Sequence, residues 1–225
     1  MEPAASQTAR IAALTNENLS ADDALQKLMA GNQRFIYERS KSPNQTLSRL
    51  DEVVREQKPF ATILGCSDSR VPIEVIFDQG LGDLFVIRVA GNIVTPTELA
   101  SIEYGASVLK TRILFVLGHK NCGAVSATLK GGNLLGQMNT LIDSIQPAVD
   151  RSLQQPGDRL ENAIRENVFW QMERLKESSI VCDLLQQQQI KIIGGYFDLE
   201  TGKVSIFNVI TNHRSTIQVN HIHAF

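Results

Sequence analysis

The chain has 225 residues, of which 43% are hydrophobic and 20% are charged, a composition that fits one compact domain with a large core. Its formal net charge of -2 gives no electrostatic reason to expect nucleic acid or an acidic membrane as a partner. No apolar run is long enough to span a bilayer, and the N-terminus lacks the basic and then apolar layout of a secretory signal. We therefore expect a cytoplasmic protein, or an extracytoplasmic one if a signal peptide has been removed.

The N-terminal part of the chain is predicted to precede the main fold. Residues 1–18 are small and polar and predict a flexible arm, so a single folded domain is expected over residues 19–225. A helix is predicted to begin at Ser20, where a serine precedes acidic residues, and to stop near Gly31. After a polar segment, a second helix is predicted over residues 47–56, before a proline.

From residue 60 onward, short apolar runs alternate with helical stretches. Strands are predicted at 61–65, 84–89, 113–118, 190–197 and 203–209. Apolar spacing predicts a helix over 97–110, another that begins just past residue 122, and a mostly helical stretch over 134–189. This alternation predicts an α/β fold with a central, mostly parallel β-sheet flanked by helices, preceded by an N-terminal helical arm.

Two polar motifs directly follow two of these strands. The first predicted strand leads into Cys66-Ser-Asp68-Ser-Arg70, and the third leads into His119-Lys-Asn-Cys122. Because ligand crevices in open α/β sheets form at the carboxyl ends of the strands, we expect the two motifs to meet there. The chain has three cysteines, an odd number, and two of them lie in these motifs. That usage favours a metal site in a reducing compartment over a disulfide framework.

Two thiolates and one imidazole form a ligand set that suits Zn²⁺ and can leave its fourth position to water. Such a formally neutral site still acidifies bound water, to a pKa on the order of 7, so hydroxide is available to attack an electrophilic carbon. We expect Cys66, Asp68 and Arg70 to share one face of an extended segment. We expect His119 and Cys122 to be neighbours on one helical turn.

Asp68 admits two interpretations. As a fourth ligand it would close the metal to water, whereas a bidentate pair with Arg70 would leave that position open. In the open case the carboxylate could accept a hydrogen bond from the metal-bound hydroxide. Each motif alone also has a simpler interpretation: a buried cysteine beside a satisfied histidine, a turn with an acid–base pair, or a phosphatase-type cysteine loop. The cysteine and the arginine are too close in sequence for the last of these.

Together the two motifs, the second extended to Gly123, resemble the β-class carbonic anhydrases, and the resemblance covers most of the chain. It implies Zn²⁺ bound by Cys66, His119 and Cys122. It also implies that Asp68 and Arg70 form the catalytic dyad. The implied reaction is the reversible hydration of CO₂ to bicarbonate and a proton, by attack of zinc-bound hydroxide on CO₂.

The resemblance further implies substrate-binding residues and an assembly. Gln57, Phe85 and Tyr104 match pocket residues of the plant-like branch of the family, and Ala90 and Gly123 are added to the substrate-binding set. The family's basic unit is a dimer, so a homodimer or a dimer of dimers (a tetramer) is expected. In that unit the neighbouring chain helps to form each active site, and N-terminal helices clasp the partner. Residues 20–35 are the candidate arm.

Two other functions are compatible with these residues. One is hydrolysis of a CO₂ analogue such as carbonyl sulfide or CS₂ by the same chemistry. The other is a non-catalytic, zinc-stabilised scaffold that senses bicarbonate, against which the retained substrate donor and the arginine beside the acid argue. Outside the motifs, Cys182 is predicted to be a core or interface cysteine. Three C-terminal histidines, His213, His221 and His223, are interpreted as a solvated tail. Metal binding by His221 and His223, or proton transfer by any of the three, is the alternative.

Overall fold

The computed structural model describes residues 19–131, 135–212 and 215–218 of the chain, the last range by its backbone. The arm predicted for residues 1–18 and the C-terminal residues His213, His221 and His223 lie outside the described residues. Across the described ranges, no helix is both long enough and apolar enough to cross a membrane.

Six strands form one sheet within the described part of the chain. They are β1 (Ala61–Gly65), β2 (Leu84–Arg88), β3 (Ile113–His119), β4 (Lys191–Phe197), β5 (Val204–Asn212) and β6 (Ser215–Gln218). Their order across the sheet is β2-β1-β3-β4-β5-β6. The first four run parallel, whereas β5 and β6 are each antiparallel to the preceding strand. The mostly parallel sheet is confirmed, and β6 is a strand that the sequence analysis did not predict.

Eight α-helices accompany the sheet in the described ranges. They are α1 (Ala21–Ile36), α2 (Leu47–Val53), α3 (Ile73–Ile76), α4 (Pro96–Glu103), α5 (Gly123–Lys130), α6 (Asn139–Ser152), α7 (Arg159–Leu175) and α8 (Ser179–Gln186). Short 3₁₀ turns cover Ala90–Asn92 and Gly136–Met138. The mostly helical character predicted for 134–189 is confirmed from residue 135 onward, whereas α2 ends at Val53, three residues before its predicted end.

The central strands β1, β3 and β4 are buried on both faces. Along β3, Ile113, Phe115 and Leu117 belong to a core shared with α1 and α3, while Leu114 and Val116 belong to a core shared with α4, α7 and α8. Successive side chains of a strand point to opposite faces, so an uninterrupted apolar run is buried on both sides, as is typical of parallel strands covered by helices. The polar motifs can therefore lie only where the strands end.

Helix α1 begins as predicted but does not end at Gly31. The Ser20 side chain accepts a hydrogen bond from the backbone of Asp23, and the Asp23 side chain accepts one from the backbone of Ser20, which is a capping box. A Cβ atom at Gly31 would lie 1.8 Å from the carbonyl oxygen of Phe77. The predicted helix stop is therefore wrong, because this glycine allows close contact with the backbone beside α3.

Helix α1 is anchored on its own chain. Asn32, which is 2% exposed, donates to the carbonyl oxygens of Ile76 and Gly202 and accepts a hydrogen bond from the backbone N–H of Val204. These bonds tie α1 both to α3 and to the turn before β5. The N-terminal helix expected from the resemblance is thus present, while its role as a clasp on a partner stays a prediction.

The helix predicted over 97–110 consists of two parts. After α4 the chain continues as a π-helix, Tyr104–Val108. A Cβ atom at Gly105 would lie 2.3 Å from Oγ1 of Thr62, and the Thr111 hydroxyl lies 3.0 Å from the carbonyl oxygen of Gly105 and 2.8 Å from the Thr62 hydroxyl. The wider turn lets the helix lie directly on β1, and turns of this kind are frequent at functional sites.

We expect the Gly31→Ala variant to be less stable than the wild type, because the added methyl group meets a backbone carbonyl that cannot rotate away. Overpacking costs about 1–3 kcal/mol, which lowers Tm by roughly 2–12 °C in a chain of this size. Gly123→Ala is the control, since a Cβ atom there meets nothing within 4 Å. Circular dichroism during heating measures both variants. Equal melting of the two would contradict the close contact between α1 and Phe77.

Candidate metal centre and active site

The ends of β1 and β3 bring the two motifs together. These strands are parallel neighbours in the sheet, with Gly65 paired to Leu117. Cys66 follows Gly65 directly, and His119 is the last residue of β3. The candidate ligand atoms of Cys66, His119 and Cys122 all lie within 4.8 Å of one another. The sequence-based expectation that the motifs meet at the carboxyl ends of the strands is confirmed.

The local backbone at the motifs differs from the expected geometry. His119 and Cys122 are not neighbours on one helical turn, because His119 lies in β3 and Cys122 is the N-cap of α5. Between them, Asn121 takes a left-handed conformation with a φ of 56°, which turns the chain back towards the strand. The extended path expected of residues 66–70 is not kept either, since the N–H of Val71 bonds the carbonyl oxygen of Asp68 at 3.0 Å and closes a turn.

One ring nitrogen of His119, Nε2, is available to bind a metal ion. The ring is fully buried, and its Nδ1 lies 2.9 Å from the carbonyl oxygen of Lys120. Because a carbonyl can only accept, Nδ1 carries the proton and Nε2 presents a lone pair. This buried Nε2 has no hydrogen-bond partner, and leaving such an atom unpaired is costly. A bound metal ion would satisfy it, so the donor set fits a metal.

The two thiols of the cluster do not ionise alike. The neighbouring Cys122 thiol and the N–H of Gly91 lower the pKa of Cys66 against the opposing effect of burial. The same contact between the two sulfurs, together with burial, raises the pKa of Cys122. Because a metal binds thiolates, binding to both sulfurs must displace the proton of Cys122, so metal affinity should increase with pH.

Asp68 stands beside the cluster in a bidentate pair with Arg70. Arg70 Nε and Nη2 donate to the two carboxylate oxygens at 2.9 and 2.7 Å, and the Arg70 backbone N–H adds a third bond at 2.9 Å. The nearer oxygen, Oδ2, lies 3.9 Å from His119 Nε2. The hydrogen bonds from Arg70 hold the pKa of Asp68 well below its usual range. Of the two expected interpretations, the geometry matches the one in which Arg70 holds the acid.

Arg88, the last residue of β2, fixes the loop that carries Cys66 and Asp68. Its Nε donates to the carbonyl oxygen of Cys66 at 3.0 Å, and its Nη2 donates to the carbonyl oxygen of Asp68 at 2.7 Å. The sequence analysis did not assign this role to Arg88. The feature that could have indicated this role is the sheet register, because it pairs Arg88 with Gly65, the residue just before the motif.

The predicted substrate-binding residues lie in two separate places. Ala90 is the first residue of the turn that follows β2. The next residue of that turn, Gly91, donates its N–H to Cys66 Sγ at 3.3 Å. Gly123 begins α5 directly after Cys122. These two predicted residues, Ala90 and Gly123, therefore adjoin the cluster of Cys66, His119 and Cys122.

The other three, Gln57, Phe85 and Tyr104, lie towards the amino ends of the strands. Phe85 pairs with Thr62, three residues before the end of β1, which corresponds to about 10 Å along the strand. The rings of Phe85 and Tyr104 are 6.0 Å apart. Tyr104 and Gln57 line one cavity of about 620 Å³. The described chain does not bring these three side chains to the candidate metal ligands.

Comparisons with known proteins identify the family of the chain. Residues 61–204 match the family model of the carbonic anhydrases. Carbonic anhydrase 2 of Mycobacterium tuberculosis is 35% identical over 197 residues, which cover 84% of this chain and 94% of the relative. The carbonic anhydrase of Mycolicibacterium smegmatis is 34% identical over 188 residues, which cover 81% and 91% of the two chains.

A solved structure shows the same likeness. The β-carbonic anhydrase of Coccomyxa, in complex with acetazolamide, is 27% identical, with a TM-score of 0.68 over 84% of this chain and 88% of that one. The chain belongs to the carbonic anhydrase family, in its β class. It is accordingly an enzyme of the lyase class. Membership of the plant-like branch stays a prediction.

We expect Arg70→Gln to raise the pKa of the Asp68 carboxyl, because the two guanidinium hydrogen bonds that favour its charged form are lost. In the metal-free wild type the Asp68 carboxyl carbon should show no titration between about pH 4 and pH 7 by NMR. In the variant it should titrate at a pKa near the ordinary value of about 4.

Asp78 serves as the internal control. Its carboxylate accepts hydrogen bonds from Arg34 and from two backbone N–H groups, none of which belongs to this site. Its titration should be the same in both proteins. Because the folded-state pKa of Asp68 is lowered, its contribution to stability is present above the unfolded pKa and is lost as the pH falls through the folded value. An Asp68 titration that does not respond to Arg70→Gln would contradict the pairing.

Proposed function

We propose that the protein catalyses the reversible hydration of CO₂ to bicarbonate and a proton, with Zn²⁺ held by Cys66, His119 and Cys122. The observation that carries this proposal is the arrangement of two sulfurs and one ring nitrogen within 4.8 Å of one another, beside a carboxylate held by an arginine. Two thiolates and a neutral imidazole are donors that zinc prefers, and three protein ligands leave a position for water. When bound, zinc lowers the pKa of a water molecule to near neutral.

Asp68 is proposed as the group that orients this water and accepts its hydrogen bond. Its Oδ2 receives one hydrogen bond from Arg70 and so retains a lone pair for a further donor. The lowered pKa of Asp68 keeps it an acceptor throughout the neutral range. Arg70 has two tasks in this proposal: it keeps the carboxylate charged, and it holds both oxygens so that the acid does not become a metal ligand.

Small residues next to the ligands give CO₂ room to approach. A Cβ atom at Gly123 would meet no other atom within 4 Å, so the space beside Cys122 is open. Ala90 borders the Cys66 side through the turn at Gly91. CO₂ is a small molecule, so an opening of this kind is enough to admit it.

We further propose that the active site is completed by a second copy of the chain. Gln57, Phe85 and Tyr104 are the remaining substrate-binding residues, and within one chain they are grouped at the other end of the strands. Tyr104 is 46% exposed, so its ring is accessible to a second chain. A symmetric dimer would let each chain offer these residues to its partner's metal centre.

We expect the purified protein to contain about one zinc ion per chain. Asp68→Asn should retain this zinc but lose CO₂ hydration by about 100-fold or more, because a neutral amide accepts a hydrogen bond more weakly than a carboxylate and can turn its NH₂ donor towards the water. Stopped-flow measurement with a pH indicator, beside metal analysis, tests both statements. Full activity of Asp68→Asn with zinc retained would contradict the proposed role of Asp68.

Cysteine variants provide a matched control for the metal ligands. Cys66→Ser should lose zinc, because a hydroxyl group is a much weaker zinc ligand than a thiolate. Cys182→Ser should keep both zinc and activity, since Cys182 lies in α8, where its thiol lies 2.9 Å from the carbonyl oxygen of Lys176. Loss of zinc from both variants to the same degree would refute the ligand assignment.

Complementation between chains tests the shared active site. We expect Cys66→Ser and Gln57→Ala to be inactive alone and to regain activity when the two chains are co-expressed. A mixed dimer would hold one site with an intact metal centre and an intact Gln57, which predicts about a quarter of wild-type activity at equal expression. If Gln57 acted within its own chain, no site in the mixture would be complete. Absence of recovery in isolated mixed dimers would therefore refute the shared site.

A further inference from the structure

Helix α7 carries two buried amide side chains that hold the turn next to the metal cluster. Asn167 and Gln171 are one helical turn apart, and each is 1% exposed. Asn167 Nδ2 donates to the carbonyl oxygen of Gly91 at 2.8 Å, and Asn167 Oδ1 accepts from Gln171 Nε2 at 3.0 Å. Gln171 Oε1 accepts from the N–H of Val94 at 2.8 Å. The segment after β2 is thus tied to α7 at two backbone groups.

The same segment donates to a sulfur of the cluster. The N–H of Gly91 lies 3.3 Å from Cys66 Sγ. Gly91 has a φ of 74°, and a Cβ atom there would lie 2.7 Å from Cδ1 of Ile145, so its conformation and its lack of a side chain are both required. Only the two backbone torsions of Gly91 separate its N–H from its carbonyl group. Fixing the carbonyl therefore restricts the direction of the N–H.

Helix α7 is in turn fixed against the sheet. A Cβ atom at Gly118 would lie 2.7 Å from Cγ2 of Val168, and one at Gly194 would lie 2.5 Å from Sδ of Met172. These glycines, in β3 and β4, let the helix lie very close to the strands. Gly118 directly precedes His119. The helix that carries the two amides is therefore seated on the strand that carries a metal ligand.

We propose that Asn167, supported by Gln171, is a positioning residue for the metal centre, which it serves by holding the Gly91 N–H on the Cys66 sulfur. The inference rests on the proposed function, because its consequence is a correctly oriented zinc ligand. Asn167 acts through Gly91 on Cys66 and is not itself a ligand. Loss of an outer hydrogen-bond partner of a metal ligand typically lowers metal affinity by about 10–100-fold. A purely structural amide would stabilise the fold without this effect.

The variant Asn167→Leu tests the inference, because leucine has a similar size and lacks the donor. We expect its zinc dissociation constant, measured by competition with a chelator, to rise about 10-fold or more. In the Co²⁺-substituted protein, the thiolate-to-cobalt absorption band should shift. Asn32→Leu is the matched control: it removes an equally buried amide that bonds backbone groups around α1. It should lower Tm while leaving zinc affinity and the cobalt spectrum unchanged.

A folded Asn167→Leu variant with wild-type zinc affinity and an unchanged cobalt spectrum would overturn the inference. Equal loss of affinity in Asn32→Leu would also overturn it, because general destabilisation would then explain the effect. If Asn167→Leu does not fold, the wild-type protein loaded with ¹¹³Cd decides the question. Scalar coupling between the metal and the Gly91 amide proton supports the inference, and its absence overturns it.

The results that would refute the proposed function differ from those that would refute the positioning role of Asn167. Wild-type protein that binds zinc tightly without hydrating CO₂ would refute the reaction, and the zinc affinity of Asn167→Leu would still decide the positioning role. Wild-type protein that binds no zinc would refute both. Normal hydration by the wild type with unaltered zinc binding in Asn167→Leu would refute the positioning role alone.

Discussion

The parallel pairing of β1 with β3 is the constraint on which the candidate active site depends. Gly65 pairs with Leu117, so the residue that follows β1 and the last residue of β3 leave the sheet side by side. The backbone hydrogen bonds of the sheet therefore place Cys66 and His119 side by side in every folded molecule. Because folding already orders these ligands, the free energy of metal binding is not reduced by the entropy of ordering them.

Two arginines restrain the acid and the loop beside the cluster in different ways. Arg70 uses its planar guanidinium to engage both oxygens of Asp68, which sets the charge and the orientation of the carboxylate. Arg88 instead bonds two backbone carbonyl oxygens, so it fixes the path of the chain without touching the carboxylate. A lysine could not replace either one fully, because each arginine donates from two nitrogens in a fixed geometry.

Much of the fold could be predicted from the sequence, and so could the meeting of Cys66, His119 and Cys122, because apolar runs and the residues that follow them are local properties. The strand end at Gly65 was predicted to the residue. The prediction that the helix stops at Gly31 was wrong, because a glycine is needed there for the close contact with Phe77 and the helix continues past it. The prediction that His119 and Cys122 are neighbours on one helical turn was wrong, because Asn121, in a left-handed conformation, lies between them. Arg88 and Asn167 were missed, since their partners are backbone groups distant in sequence.

The position of Gln57 relative to the cluster constrains how catalysis depends on assembly. Strand β1 has five residues and is about 17 Å long, and Gln57 precedes its amino end while the cluster follows its carboxyl end. No side-chain rotation spans that distance, and moving either end would break the sheet. If Gln57 contacts the substrate, it must come from another chain. Dissociation to single chains would then remove activity while each metal centre remained intact, so activity would depend on protein concentration in the way that dimer formation does.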